Sequence, residues 1–223
     1  MAAPLLAQTI ELPVRHSHAI GSCAGALVLN SDGLSFAHAP DKGKRHHFSW
    51  AWANIQQLDL VRDRIVVTSY RDRALMFGAD QRFEFVFAET PDVRALYSAL
   101  AARMDQRLTA RVALPPAKPL YRVNVKRLRK IHPVEGELVV EASRVLFIAT
   151  APGESRVWRN SDLINVSSSN PFSLSVATYE RGGDFDFQLK QALDTAQYDA
   201  LWKRLNRPRG LELISTQMEQ THQ

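Results

Sequence analysis

The sequence lacks the features that mark several classes of protein. Its 223 residues include one cysteine, Cys23, so no disulfide can form within the chain, which favours a reducing compartment. No apolar run approaches the roughly 20 residues that a membrane-spanning helix needs. The first residues also lack the basic start of a secretory signal. We therefore expect a cytoplasmic protein.

Motifs for catalysis are missing as well. The carboxylates are scattered without pairing, and the residues at 167–171 and 182–183 are typical of turns rather than of an active serine or a phosphate loop. Cys23 has no base that the sequence places beside it, so a role as a small apolar side chain is predicted. These absences predict a protein that is not an enzyme and uses no cofactor.

Histidines are concentrated near the start of the chain, where five of the seven lie within the first 47 residues. His16 and His18 would share one face of a strand, a spacing that can hold a metal ion. The sequence fixes no third ligand, and solvated histidines are the simpler interpretation. We predict no metal site.

Apolar residues form 45% of the chain and charged residues 23%, which is enough apolar material for a core in one or two domains. The net charge of +5 has a local origin. Six basic residues and no acid lie between Lys118 and Lys130, and without those six the remainder has a net charge of −1. The basicity is therefore a patch and not a field over the whole protein.

The clearest pattern is an internal repeat. Large apolar residues alternate at Phe83, Phe85 and Phe87 and again at Phe185, Phe187 and Leu189, and an amphipathic helical stretch follows each strand. The offset between matching residues changes only in polar loops, as expected for a duplicated fold. The matching pairs are Val14 and Val125, Gly25 and Gly136, Phe36 and Phe147, Trp50 and Trp158, Ile55 and Leu163, Tyr70 and Tyr179, and Tyr97 and Tyr198.

Several local signals define the predicted elements. Pro13 should confine the first strand to a sheet edge or a bulge. Thr90 is the predicted N-cap of the first helix and Asp194 that of the second. Tyr198, Leu201, Trp202 and Leu205 should be buried on the second helix. Residues 108–119, with three prolines and no clear periodicity, predict a semi-rigid linker.

Each repeat thus has six or seven short strands and a closing helix, an order that resembles the pleckstrin-homology-like superfold, in particular its GRAM-like and bacterial relatives. Trp202 lies where such domains usually carry a tryptophan, whereas the first repeat has Ala101 there. The resemblance implies a mainly β protein of two tandem domains, each a bent antiparallel sandwich or barrel closed by a C-terminal helix. The expected domains are 9–107 and 120–206, followed by a polar tail, 207–223, with one short strand at 211–214.

The candidate site is the basic cluster Lys126, Arg127, Arg129 and Lys130. Phosphoinositide-binding pleckstrin-homology domains place basic residues in this region, so the resemblance implies anionic lipid as one ligand. The alternatives are an acidic protein or a nucleic acid, and some eukaryotic tandem modules of this type bind histones. A charged strand edge that prevents aggregation is the simplest explanation. The sequence favours a binding or scaffold module with a protein partner.

Overall fold

The computed structural model describes residues 9–18, 21–38, 47–73 and 76–210. The chain is mainly β, with one large sheet and two helices, the second of which follows the last strand. Among the described residues, no helix is long and apolar enough to cross a bilayer. His46 and the predicted strand at 211–214 lie outside the described part of the chain, as does the tail beyond residue 210.

Within the described ranges, the regular structure consists of fifteen strands and two α-helices, with short 3-10 helices beside them. The first part contains β1 (Ile10–Ser17), β2 (Ser22–Leu29), β3 (Gly33–His38), β4 (His47–Ala51), β5 (Ile55–Val61), β6 (Arg64–Arg73), β7 (Met76–Phe87) and α1 (Val93–Ala101). A connecting strand, β8 (Leu108–Arg111), follows. The second part contains β9 (Pro119–Leu128), β10 (Val134–Glu141), β11 (Arg144–Ala149), β12 (Arg156–Arg159), β13 (Leu163–Ser167), β14 (Ser173–Thr178), β15 (Asp184–Leu189) and α2 (Thr195–Asn206).

The order of strands in the sheet is the same on both sides of β8. One side runs β5-β6-β7-β1-β2-β3-β4 and the other runs β13-β14-β15-β9-β10-β11-β12. Neighbouring strands are antiparallel except β5 and β8, which are parallel. The strand β8 therefore joins the β5 edge of the first half to the β12 edge of the second half.

Residues that match in sequence also make matching pairs in the sheet. Val14 lies opposite Gly25 in the first half, and Val125 lies opposite Gly136 in the second. A Cβ atom at Gly25 would meet the ring of Phe36 at 2.6 Å, and a Cβ atom at Gly136 would meet the ring of Phe147 at 2.7 Å. Both positions need glycine because a phenylalanine ring occupies the space of the missing side chain.

Two clusters of buried apolar residues form the core: one centred on the first half, which also includes Val139, Leu146 and Val157 of the second half, and one within the second half. On β15, Phe185, Phe187 and Leu189 are all buried, as their alternation predicts. Of Phe83, Phe85 and Phe87 on β7, Phe85 alone is fully buried, while the other two pack at the border of the first cluster. Alternation in the sequence therefore predicted the face of each strand correctly.

The two helices lie against the two clusters. In α1, Leu96, Tyr97 and Leu100 are buried, and the helix is capped by Asp92, whose carboxylate accepts hydrogen bonds from Arg94 N and Ala95 N. The prediction of Thr90 as the cap was wrong by two residues. Asp92 is the residue next to the first helical turn, where a side-chain oxygen reaches the open N–H groups.

The second helix is only partly as predicted. Asp194 is its N-cap and accepts a hydrogen bond from Ala196 N at 2.6 Å. Leu201 and Leu205 are buried, but Tyr198 and Trp202 are only half-buried. These two aromatic residues are four positions apart and therefore flank the leucine stripe on the same side of the helix.

The segment 108–119 is not an irregular linker throughout, because its first four residues form β8. Buried side chains alternate along it at Leu108, Ala110, Val112 and Leu114, which join the first core cluster. Apolar residues at every second position predict a strand. The prolines that follow in the sequence suggested a linker instead. The domain limits 9–107 and 120–206 remain a prediction.

The first strand, β1, is an interior strand and not an edge. It pairs with β2 along its length and with β7 from Val14 to His16. Pro13 O accepts a hydrogen bond from Ala88 N, one residue beyond the end of β7. The backbone of Pro13 faces β7 just past the segment that pairs with that strand, so its missing N–H removes no hydrogen bond of the β1–β7 ladder.

Candidate functional site

The strand pleat divides the basic cluster. Arg127 is on the same face of β9 as the buried Val123 and Val125, whereas Lys126 is on the opposite face. Arg129 and Lys130 follow the strand and are exposed. The four residues are adjacent in sequence but do not form one surface.

The side chain of Arg127 packs against the core of the second half. Its guanidinium carbon lies 4.1 Å from the centre of the Phe185 ring, within the range of a cation–π contact. Its Nη1 donates to Glu154 Oε2 at 3.4 Å. Burial and the nearby Arg156 charge lower the pKa of Arg127 to about 10. Because a guanidinium stays protonated at neutral pH, that lower pKa reflects the cost of placing its charge in a partly dry environment.

Glu154 also holds the second arginine of the cluster, since Arg129 Nη1 donates to its Oε1 at 2.7 Å. No acid between residues 118 and 132 offsets the cluster in sequence, but the fold brings this carboxylate from the turn between β11 and β12. Lys126 lies opposite Glu135, which forms an ion pair with Lys190. Lys130 makes no ion pair with any described residue. The positive potential of the cluster is therefore weaker than the sequence predicts.

Two apolar side chains accompany the exposed lysine. Leu128 is 49% exposed at the end of β9, and Ile131 is 75% exposed in the turn that follows. Large apolar side chains with this exposure next to cations are common at membrane-contacting surfaces. Sequence reasoning recorded the charges of this turn and overlooked its apolar residues.

A second group of charges is buried beside Arg127. Arg156, on β12, is 7% exposed and its Nε donates to Glu180 Oε1 at 3.3 Å. Burial raises the pKa of Glu180 and lowers that of Arg156, and the attraction between the two opposes both shifts. The sequence gives no signal for this pair because its members are brought together only by the fold.

The equivalent position in the first half is occupied by aromatic side chains. His16 lies opposite Phe85 on β7, just as Arg127 lies opposite Phe187 on β15. Around His16 the rings of Phe48, Trp50 and Phe83 pack on one another, with Phe48 and Phe83 4.7 Å apart. A cavity of about 420 Å³ borders this aromatic group. Its rim carries polar side chains, among them His47, Ser69, Arg71 and Gln81.

The expectation that Cys23 has no base beside it was wrong. His18 Nε2 lies 3.1 Å from Cys23 Sγ, across the hairpin of β1 and β2. Burial raises the pKa of the Cys23 thiol, so the thiolate form is disfavoured. The rings of His16 and His18 are 4.6 Å apart. Within the described ranges, no group of three or more histidine, cysteine, aspartate or glutamate side chains is arranged to hold a metal.

The outer edge of β13 forms one end of the sheet. Among residues 9–18, 21–38, 47–73 and 76–210, only β14 pairs with this strand. The guanidinium of Arg209 donates to the carbonyl oxygens of Leu163 and Ile164 at the start of β13, the second contact at 2.7 Å. Arg107 makes the matching contact in the first half, where its Nη1 donates to Ile55 O at 2.7 Å.

The end of α2, next to β13, is strongly basic. Residues 203–210 contain four cations and no acid. The cations are Lys203, Arg204, Arg207 and Arg209. Sequence reasoning placed Lys203 and Arg204 in the second domain and residues from 207 in a polar tail, and so overlooked that this stretch carries as many cations as the basic cluster.

Comparison with known proteins gives no family assignment. No family model and no curated protein matches the chain. One similar solved structure is the C-terminal domain of an unknown protein from Leishmania infantum, at 19% identity over 40% of this chain and 84% of that chain, with a TM-score of 0.31. Another is the Spt16D Pob3N heterodimer, at 9% identity over 77% of this chain and 84% of that chain, with a TM-score of 0.34. At TM-scores this low, neither likeness assigns a fold or a function.

Proposed function

We propose that this chain is a non-enzymatic scaffold of two pleckstrin-homology-like domains that binds an extended segment of a partner protein. The two-domain arrangement is supported by the identical strand order on the two sides of β8 and by the helix that follows each set of strands. The connecting strand β8 pairs with both halves, so the two domains would be held in one fixed arrangement.

The non-enzymatic part of the proposal rests on the chemistry of a nucleophile–base pair in the first half. Cys23 and His18 are within hydrogen-bond distance. A reactive cysteine needs its thiolate, and the raised pKa of Cys23 keeps it protonated near neutral pH.

A protein partner is favoured by one observation, the outer edge of β13 at the end of the sheet, where among the described residues no second strand pairs. A strand edge presents N–H and C=O groups in a row and binds extended peptide by adding a strand. The connection between the two halves uses this kind of pairing already, since β8 adds to the edge of β5.

A selection of displayed random peptides on the full-length protein tests the proposed function. We expect enrichment of extended sequences without helical periodicity, with micromolar binding confirmed by fluorescence anisotropy. Heat-unfolded protein serves as the counter-selection, so that peptides that only recognise exposed apolar chain are discarded. Failure to enrich any peptide for the folded protein would overturn the proposal.

Anionic membrane is the second candidate, because Leu128 and Ile131 are exposed beside Lys130. Each basic residue near such a surface contributes about 1 kcal/mol, but two of the four cations already share Glu154. Co-sedimentation with vesicles containing phosphatidylserine tests this candidate. Nucleic acid has less support, since Tyr121, the only aromatic residue in 118–130, packs on the second core.

A further inference from the structure

We propose that a polar cleft at the junction of the two halves binds the phosphate group of a phosphorylated tyrosine in the partner segment. The tyrosine as carrier rests on the proposed function, whereas the phosphate site rests on the geometry of the cleft. The cleft has a volume of about 500 Å³ and lies between the strands β5 to β8 and the turn that joins β14 to β15. We call it the central cleft and define it by Thr68, Arg82, Arg111, Tyr179 and Arg181, which line it.

The floor of the central cleft is the outer face of the first-half sheet. Phe83 and Phe85 on β7 pack in or against the first core cluster, so Arg82, which alternates with them, lies on the opposite face. Thr68 on β6 lies opposite Arg82, and Gln57 on β5 lies opposite Thr68. These polar side chains therefore form a row across three neighbouring strands.

Arg111 continues the polar surface on β8. Its neighbour Ala110 is buried in the first core cluster, which places Arg111 on the outer face of the same sheet. The Nη2 atom of Arg111 lies 4.0 Å from Asp59 Oδ1, and its Nε is buried without a hydrogen-bond partner among the described residues. A buried donor that lacks an acceptor is costly, and a bound ion is one of the groups that can supply the acceptor. An oxyanion in the cleft would do so for Arg111.

Two more guanidinium groups border the cleft. Arg82 and Arg181 are exposed, and neither makes a hydrogen bond or an ion pair with any residue that the structure describes. The position of Arg181 is fixed by its turn, in which Thr178 N donates to Gly183 O at 2.8 Å and Gly182 adopts the left-handed conformation with a φ of 72°. A guanidinium that is held at a cleft and keeps its donors available can bind an anion directly.

The residue before Arg181 anchors the turn. The side chain of Glu180 is buried and accepts a hydrogen bond from Arg156 Nε at 3.3 Å. This ion pair joins the β14–β15 turn to β12, the strand of the second half that pairs with β8. The buried pair therefore holds Arg181 on the same cleft as Arg111.

The charges of the central cleft favour a phosphate over a carboxylate. Three arginines on three different elements, β7, β8 and the β14–β15 turn, face two aspartates, Asp59 and Asp80, in the described lining. Asp59 lies near Arg111, which leaves one negative charge, that of Asp80, against Arg82 and Arg181. A carboxylate accepts hydrogen bonds mainly in one plane, whereas the three terminal oxygens of a phosphate group accept from donors on separate elements. Arginine clusters recognise phosphorylated protein segments in this way.

Tyr179 favours a carrier with an aromatic ring. Its side chain is 55% exposed at the border of the cleft. A volume of about 500 Å³ is far larger than a phosphate group needs, since a water molecule occupies about 30 Å³. A phosphorylated tyrosine would use the remaining space, with its ring in contact with that of Tyr179 and its phosphate among the guanidinium groups.

Fluorescence anisotropy on the wild-type full-length chain tests the inference. The probe is the fluorescein-labelled peptide GAYAG with a phosphorylated tyrosine. The controls are the unphosphorylated peptide and GAEAG, whose glutamate offers a carboxylate. We expect the phosphopeptide to bind about tenfold more tightly than either control. Equal binding of GAEAG would overturn the preference for phosphate, and equal binding of the unphosphorylated peptide would overturn the site.

Competition with small molecules distinguishes the carrier from the phosphate. O-Phosphotyrosine should displace the labelled phosphopeptide at a concentration about tenfold lower than inorganic phosphate, because only the former has a ring for Tyr179 to contact. The variant Tyr179→Ala should remove this difference and leave displacement by inorganic phosphate unchanged. Equal displacement by the two compounds on the wild-type protein would overturn the tyrosine as the carrier.

Four full-length variants locate the site. Arg82→Gln and Arg181→Gln should each weaken phosphopeptide binding about tenfold, as expected for the loss of a charge-assisted hydrogen bond. Arg62→Gln, an exposed arginine in the turn after β5 and outside the cleft lining, is the matched control and should change little. Asp80→Asn removes a negative charge from the cleft and should strengthen binding about threefold. An effect of Arg62→Gln equal to that of Arg82→Gln would show attraction by the general charge of the protein and overturn the site.

Two further readouts separate this inference from the proposed function. Thermal unfolding without peptide checks that the variants fold like the wild type. If the peptide selection enriches segments and the phosphopeptide does not bind, the proposed function stands and only this inference is overturned. Binding of the phosphopeptide at the central cleft without any enrichment in the selection would confirm the phosphate site and overturn the partner segment.

Discussion

The two halves place different side chains at the same point of the same strand order. In the first half, Phe83 is surrounded by His16 and Phe48, and in the second, Phe185 is covered by Arg127 and Arg156. The phenylalanine rings there carry no charge that needs a partner, and His16 Nδ1 lies 3.1 Å from Glu84 O. The arginines remain there only because Glu154 and Glu180 lie beside them. The fold therefore accommodates either an aromatic or a charged group at this position. The charged group is stable only while each arginine keeps its glutamate partner.

The charged group at this position also limits what the second half can bind. Its arginines and glutamates form ion pairs at the position where the first half has a cavity of about 420 Å³ bordered by aromatic rings. Because a buried ion pair contributes little net stability, the comparison predicts that the second half can be converted to the aromatic arrangement.

The largest effect should come from breaking the buried pair. Arg156→Phe places in β12 the residue type that β4 carries at the equivalent Phe48, since both positions pair with a buried phenylalanine of the preceding strand. The change leaves Glu180 buried without its partner, and we expect a loss of about 3 kcal/mol in the free energy of unfolding. Denaturation in guanidinium chloride at pH 7 measures it.

The double variant Arg156→Phe/Glu180→Leu is the matched control and should return to wild-type stability or exceed it. The pH dependence gives a second check. Burial raises the pKa of Glu180, so the folded state holds its proton more tightly than the unfolded state. The stabilisation by this carboxyl is complete below the unfolded pKa and is lost as the pH rises through the folded pKa. Arg156→Phe should increase the free energy of unfolding that is lost as the pH rises, and the double variant should abolish that loss.

The difference between the halves also shows which parts of the molecule sequence reasoning could reach. Alternation and turn residues predicted the strand that carries Phe185 and Phe187. The residues of a strand are enough to show which of its faces is buried. The buried pair of Arg156 and Glu180 could not be predicted, since the two residues are 24 positions apart and no local pattern joins them. The face on which Arg127 lies could have been predicted, because Arg127 continues the alternation of Val123 and Val125 on β9.

Two errors have a common physical origin. The strand β8 was missed because prolines at 115, 116 and 119 suggested a linker, although apolar residues alternate from Leu108 to Leu114. The base beside Cys23 was missed because His18 is near it only across a hairpin. Both errors concern strands that pair, although the alternation from Leu108 to Leu114 could be read from the chain itself and only the position of His18 depended on the partner strand.

A smaller effect should come from the glycines that the halves have in common. Gly25→Ala and Gly136→Ala each place a methyl group against a phenylalanine ring and a strand carbonyl, and each should cost about 2 kcal/mol. Ser22→Ala, at the exposed start of β2, is the matched control and should change little. Thermal unfolding compares the three. If one glycine variant is tolerated and the other is not, the two halves do not pack alike at this point.

The smallest effects should separate the two arginines that share Glu154. Arg127→Met removes a cation from the Phe185 ring and should cost about 1–2 kcal/mol, the range for a desolvated cation–π contact. Arg129→Met breaks only an exposed ion pair and should cost less than about 1 kcal/mol. Chemical denaturation of both variants, with phosphatidylserine vesicle binding measured on the same samples, tests the difference. Equal stability losses would show that Arg127 is as exposed as Arg129, and the basic cluster would then act as one surface.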